Sequence, residues 1–267
     1  MSKLHEAFAA TKAEGRSALI GYLPAGVPTI DGAVDAIRVM VENGVDIVEI
    51  GLPYSDPLMD GPTIQAASER SLAQGTTTRD VLATAEAVAR TGAPTLVMTY
   101  WNPIERYGVE RFARDLAAAG GTGVITPDLT PEEAGPWIEA TDSAGLDRIF
   151  LVAPSSSDER IEVVAGITTG FLYAASLMGV TGVKSVSAAA PELVARTRPR
   201  TPLPVAVGLG VSTPEQAADI AAYADGVIVG SAFVRLLLDA DTPDAGVAAV
   251  GRLAAALADG VRRHAHV

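Results

Sequence analysis

In the single stretch Asp46 to Pro62, DIVEIGLPYSDPLMDGP, Asp46 is followed by three more carboxylates, Glu49, Asp56 and Asp60. Glu49 interrupts the apolar run Ile47-Val48-Ile50, which has the character of a strand buried on both faces. An ionised carboxylate there is costly unless it is paired or used. Gly51 and Pro53 end the strand, and the loop that follows holds Asp56 and Asp60 among prolines and glycines. One acid near a strand end with two more on the next loop is an arrangement suited to general acid–base chemistry. Each acid also has a structural reading. Glu49 forms a buried pair with an arginine, Asp60 or Thr63 caps a helix beginning at Pro62, and Asp56 makes an Asx-turn before Pro57.

What the chain lacks narrows the chemistry further. It has no cysteine, so thiolate nucleophiles, disulfides and cysteine-ligated metals are excluded. His5, His264 and His266 sit at the chain ends, and the only lysines are Lys3, Lys12 and Lys184. A histidine triad, a histidine metal cluster or a Schiff-base lysine at a strand end therefore cannot be assembled. Carboxylates, tyrosines and backbone groups remain. The formal net charge of -12 argues against a nucleic-acid partner, and Arg196, Arg198 and Arg200 read as a solvated loop. The N-terminus lacks the apolar core of a signal peptide and no segment is apolar long enough to span a bilayer, so a soluble, cytoplasmic protein is expected.

The elements that must position these residues alternate regularly. Leu4 to Glu14 reads as an opening helix that plugs one end of the fold. Ala18-Leu19-Ile20-Gly21-Tyr22 is the first strand and Ile30 to Asn43 a helix leading into the Glu49 strand. Two helices, Pro62 to Gln74 and Arg79 to Arg90, precede the third strand, Thr95 to Thr99. A turn at Trp101-Asn102-Pro103, a helix Val109 to Ala119 and a fourth strand Gly123 to Thr126 follow. A helix from Pro131 to Ala144 leads to strand five, Arg148 to Val152, and a helix from Asp158 to Ala165 to strand six, Gly170 to Ala175. After a glycine-bearing loop and a short helix Ala190 to Arg196 come strand seven, Pro204 to Gly208, a helix Pro214 to Tyr223, and strand eight, Gly226 to Gly230. Ser231 to Leu238 and Ala248 to Arg262 close the chain. Eight strand–helix units without a linker make residues 1–267 one α/β domain, a (β/α)8 TIM barrel with an N-terminal helix and extra short helices after strands 2 and 8. An open doubly wound sheet would need a topological break, and none is visible.

In such a barrel the C-terminal strand ends carry the chemistry. Here they hold Tyr22, Glu49, Tyr100 with Asn102, Asp128, Pro154-Ser155, Tyr173, Gly208-Leu209-Gly210 and Gly230-Ser231. Because Glu49 alternates with Ile47 and Gly51, its side chain points into the barrel mouth if Val48 and Ile50 face the helices. Desolvation there raises its pKa toward the range useful for moving protons. The late glycines either make tight turns or let backbone N–H groups approach a phosphate, with the helix opening at Ser231 adding its positive end. Glycine turns at adjacent strand ends, together with Gly179 and Gly182, favour phosphate. Tyr173 is open to a reading as plain barrel packing. A phosphorylated small molecule worked on by a carboxylate pair is the substrate class that remains.

The segments LIGYLPAG, EIGLPYSDPLMDGPTIQ, TYWNP, ITPDL, GFLYAASLMGVTG, VGLGVSTPEQ and DGVIVGSAFV resemble the tryptophan synthase α subunit family from the first strand to the last. The resemblance implies retro-aldol cleavage of indole-3-glycerol phosphate to indole and D-glyceraldehyde-3-phosphate, as part of L-tryptophan biosynthesis. It further implies Glu49 as general acid/base and Asp60 as the group that holds the indole N–H. Tyr22, Ile64, Met98 and Ile125 would shape the indole pocket, and Tyr173 would stand beside Glu49. Gly182, Gly210, Gly230 and Ser231 would bind phosphate, with Thr181 meeting Asp60 when the loops 53–60 and 179–189 close. No cofactor is implied in this subunit; pyridoxal phosphate belongs to a partner β subunit in an α2β2 heterotetramer, with Pro53, Asp56 and Asn102 near it. Leu177-Met178 and Leu209 depart from the arginine-serine pair and the phenylalanine of familiar members. Indole-glycerol-phosphate synthase and sugar-phosphate epimerases fit less well, since they need a lysine or metal ligands. A non-catalytic subunit that only activates the β subunit is opposed by the presence of Glu49 and Asp60 together.

Overall fold

The computed structural model describes residues 2–175, 189–208 and 210–262. Its strands are β1 (Ala18–Pro24), β2 (Ile47–Gly51), β3 (Thr95–Met98), β4 (Gly123–Ile125), β5 (Asp147–Ile149), β6 (Leu151–Val152), β7 (Leu172–Ala175), β8 (Val205–Gly208) and β9 (Gly226–Val229). They form one sheet in the order β5-β4-β3-β2-β1-β9-β8-β7-β6, with every paired neighbour parallel. Only Phe150 separates β5 from β6, so the two edges of the sheet are halves of one stave and the sheet closes as a barrel. The expected (β/α)8 fold is the one observed.

Period-two alternation divides the strand residues between two cores. Leu19, Val48, Ile50, Val97, Val124 and Val227 face outward and pack with the helices. Ile20, Ile47, Leu96, Ile125, Ile149, Ala206 and Ile228 face inward. Leu4 and Phe8 of the helix Lys3–Ala13 join this inner cluster, with the Phe8 ring 5.6 Å from Phe171. That helix plugs the N-terminal end of the barrel, so the inner face is open to chemistry only at the other end. Asp46 fixes the relation of β1 to β2 from below. Its carboxylate takes two bonds from Arg16, at 2.7 and 2.8 Å, and a third from the Leu19 N–H at 2.8 Å.

Several local expectations are corrected. The segment read as a turn at Trp101-Asn102-Pro103 is the helix Trp101–Tyr107. Pro103 is tolerated in its first turn, where N–H groups lack helical partners, and the Trp101 N–H donates to Asp128 Oδ1 at 2.9 Å. The single helix expected over Pro131 to Ala144 is a 3-10 turn, Pro131–Glu133, followed by an α-helix, Gly135–Ala144, restarted at Gly135-Pro136. Strand six begins at Leu172 because Gly170 has φ +75, a left-handed conformation incompatible with a strand. The last helix starts earlier, at Pro243, where Thr242 accepts from the Ala245 N–H at 3.3 Å.

Arg196, Arg198 and Arg200 are ion-paired rather than simply solvated. Arg196 and Arg200 share Asp158 at 2.8 and 2.7 Å, and Arg198 meets Asp225 at 3.0 Å. Arg196 also donates to the Ser156 carbonyl at 2.6 Å, bracing the loop after β6 against the helix Ala189–Thr197. Among the described residues no helix is long and apolar enough to cross a membrane.

Candidate active site

Glu49 occupies the middle of β2, on the inward face between Ile47 and Gly51. It is 1% exposed, and neither carboxylate oxygen has a hydrogen-bond partner among the described residues. The arginine pair allowed by the sequence is therefore absent at this residue. Burial alone pushes its pKa up to about 8, so the carboxyl carries a proton at neutral pH. A buried acid without a partner destabilises the fold, and such groups concentrate where they are used.

Two tyrosines flank it. Tyr22 of β1 is in register with Glu49, and Tyr173 of β7 stands across the barrel interior. Burial raises the Tyr22 pKa well above its usual value, with the charges of Asp60 and Glu49 adding to the effect. Burial and Glu49 do the same for Tyr173. Both phenols stay protonated and able to donate. Each lies over a glycine: a Cβ at Gly51 would meet the Tyr22 hydroxyl at 2.1 Å, and one at Gly208 would meet the Tyr173 hydroxyl at 2.3 Å.

Asp60 ends the loop after β2. Burial raises its pKa, while a hydrogen bond from Tyr100 acts in the opposite direction. Its carboxylate is not consumed as a helix cap: the N-cap of the helix Pro62–Ala73 is Gly61, with no side-chain cap bond. Gln65 Nε2 instead holds the Asp60 carbonyl at 2.7 Å. Tyr100, directly after β3, accepts the Met59 N–H at 3.0 Å, and its ring lies 5.3 Å from that of Tyr54. The sequence places Tyr100 at a strand end but gives it no role. Asp128, another strand-end acid, serves as the cap for Trp101.

The residues expected to form an apolar wall are placed as follows. Met98 and Ile125 face inward on β3 and β4, and Ile64 is buried on the helix that follows Asp60. On the opposite side Gly210 has φ +65, and Gly230 is the N-cap of the helix Ser231–Leu238, without a side-chain cap bond. A Cβ at Gly230 would lie 3.2 Å from the Tyr22 ring, so this glycine lets the helix start approach the pocket. Thr181, Gly182, Leu177-Met178 and Leu209 lie outside the described residues.

Of the positions expected to face a partner, Asp56 and Asn102 are exposed, whereas Pro53 is buried within the chain. Pro53 turns the chain off β2. Pro53 and Asn102 nevertheless line one groove of about 380 Å3 with Leu52, Arg106 and Tyr107.

The model of the tryptophan synthase alpha chain family matches residues 8–262. The tryptophan synthase alpha chain of Thermobifida fusca is 58% identical over 266 residues, covering 98% of both chains. That of Salinispora arenicola is 57% identical over 267 residues, covering 100% of both. Among solved structures, Mycobacterium tuberculosis tryptophan synthase matches with a TM-score of 0.92 at 54% identity, covering 98% of each chain. A tryptophan synthase subunit alpha from Legionella pneumophila matches at 0.88 and 34% identity, covering 98% of this chain and 99% of that one.

Proposed function

This chain belongs to the tryptophan synthase alpha chain family, a lyase that cleaves indole-3-glycerol phosphate in L-tryptophan biosynthesis, and we propose that Glu49 and Asp60 carry out that cleavage. The observation that carries the assignment is the buried, unpartnered carboxyl of Glu49 at the barrel mouth. Held protonated, it gives its proton to the indole ring carbon that bears the glycerol chain. Asp60, ionised, accepts the indole N–H and stabilises the positive charge that develops on the ring. The Glu49 carboxylate then takes the proton of the adjacent glycerol hydroxyl. As the aldehyde carbonyl forms, the carbon–carbon bond breaks and its electron pair returns to the ring, releasing indole and D-glyceraldehyde-3-phosphate.

Tyr22, Ile64, Met98 and Ile125 enclose the indole ring, and Tyr173 stands beside Glu49. Gly210, Gly230 and Ser231, with Gly182 and Thr181 from the 179–189 loop, take the phosphate end. The N-terminus of the helix Ser231–Leu238 supplies backbone N–H groups and a favourable dipole. In Glu49→Gln, indole release from indole-3-glycerol phosphate should fall at least a thousandfold while glycerol phosphate binds as in the wild type. Wild-type turnover in that variant would remove the assignment. A purely activating, non-catalytic role is not favoured, since it leaves the destabilising Glu49 without a purpose.

Residues 1–267 are read as one barrel domain acting in the cytoplasm. The partner is a β subunit, assembled with this chain as an α2β2 heterotetramer. Pyridoxal phosphate is assigned to that partner. The exposed Asp56 and Asn102 mark the docking side. Asp56→Lys should weaken β-subunit binding in calorimetry about tenfold, and unchanged affinity would move the interface elsewhere.

A further inference from the structure

We propose that Tyr100 is a positioning residue for the reaction, anchoring the loop end that carries Asp60 where its carboxylate receives the indole N–H. This rests on the catalytic reading of Asp60 given above. Asp60 comes from the end of a loop that leaves β2 at Gly51, and a loop-borne carboxylate needs an external anchor to hold a fixed direction. Tyr100 supplies that anchor from the rigid end of β3. The residue is 5% exposed, and its hydroxyl accepts the Met59 N–H at 3.0 Å. The same oxygen that fixes the backbone just before Asp60 also acts to lower the pKa of the Asp60 carboxyl.

The anchor is held in turn. Tyr100 is the extended residue preceding the helix Trp101–Tyr107, whose first N–H is tied to Asp128 at 2.9 Å. Its ring packs on Tyr54 of the same loop at 5.3 Å. Gln65 fixes the Asp60 carbonyl from the following helix at 2.7 Å. The main chain is thus pinned on both sides of the Asp60 side chain, by Tyr100 through Met59 and by Gln65.

Among the described residues, the ionisable groups that interact with Asp60 are Tyr22 from β1 and Tyr100 after β3, and Glu49 from β2 acts on the same Tyr22. Tyr22 is kept neutral by burial, and Glu49 is neutral below about 8. In the acid range the Tyr100 bond is therefore the interaction that favours ionised Asp60 over its protonated form, against the opposing effect of burial. Removing it raises the Asp60 pKa and moves the acid limb of the pH–rate profile to higher pH.

Tyr100→Phe keeps the ring and its packing on Tyr54 and deletes only the hydroxyl. In indole release from indole-3-glycerol phosphate it should lower kcat about tenfold, change KM less than twofold, and shift the acid limb upward by at least half a pH unit. Wild-type kcat and an unmoved acid limb, or a change confined to KM, would overturn the role. Asp60→Asn assayed alongside separates this from its premise. Wild-type turnover in Asp60→Asn overturns the role of Asp60 itself. Collapse in Asp60→Asn with a wild-type profile in Tyr100→Phe overturns only that of Tyr100.

Discussion

The hydroxyl of Tyr22 lies across the α-carbon of Gly51, so close that a methyl group there would stand 2.1 Å from the oxygen and 2.6 Å from the ring carbon bearing it. Gly51 follows Glu49 by two residues on the same inward face of β2. The glycine is thus required by the tyrosine, and the tyrosine forms one wall around the acid. Gly51→Ala must displace Tyr22 into the pocket or tilt β2. Overpacking of this kind costs about 1–3 kcal/mol. A fall in urea-unfolding stability of that size and a drop in kcat/KM of tenfold or more are expected; an alanine variant with wild-type kinetics would show that the contact does not shape the site.

Much of this was legible in the residues. The inward direction of Glu49 follows from strand periodicity, because Val48 and Ile50 need the helical shell and Ile47 the barrel interior. Asp60 is recognisable by type and loop position, but its contact with Tyr100 joins residues on different strand ends and has no local sequence signal. The same holds for the helix Trp101–Tyr107, whose cap comes from Asp128 on the far side of β4. That Pro53 is buried has no local signal either, because burial depends on the packing of the whole mouth. The glycines under Tyr22 and Tyr173 are identifiable only once the register of neighbouring strands is known.

The unpartnered Glu49 should make stability depend on pH. Its folded pKa of about 8 lies above the ordinary carboxyl value of 4.5, so between these pH values the native state binds the extra proton. The stabilising contribution is complete below the ordinary value and is lost as pH rises through about 8. Glu49→Gln removes this dependence. Unfolding at pH 9 should find the variant more stable than wild type by a few kcal/mol, since each tenfold change in proton affinity is worth about 1.4 kcal/mol. At pH 4 the two should differ little. Equal stability of the two proteins at pH 9 would mean that the carboxyl is solvated or paired.

Asp46 ties Arg16 and the Leu19 N–H together at the lower end of β1 and β2, with the two side chains only 17% and 9% exposed. Asp46→Ala leaves the guanidinium and an amide short of partners. Loss of one member of such a pair costs about 3 kcal/mol. Thermal unfolding should show a loss of this order, with KM for indole-3-glycerol phosphate nearly unchanged because the pair lies at the barrel end opposite the site. A large rise in KM would indicate that the lower clamp sets the geometry of the mouth.

The proposed mechanism depends most on Glu49 holding its proton at neutral pH and giving it to the indole ring. The direct measurement is the pH dependence of single-turnover indole release by the wild-type chain. The rate should be level around neutrality and fall tenfold per pH unit above about 8, as the buried carboxyl ionises. A rate that is unchanged through pH 9.5, or that already declines near the ordinary carboxyl value of 4.5, would contradict Glu49 as the proton donor.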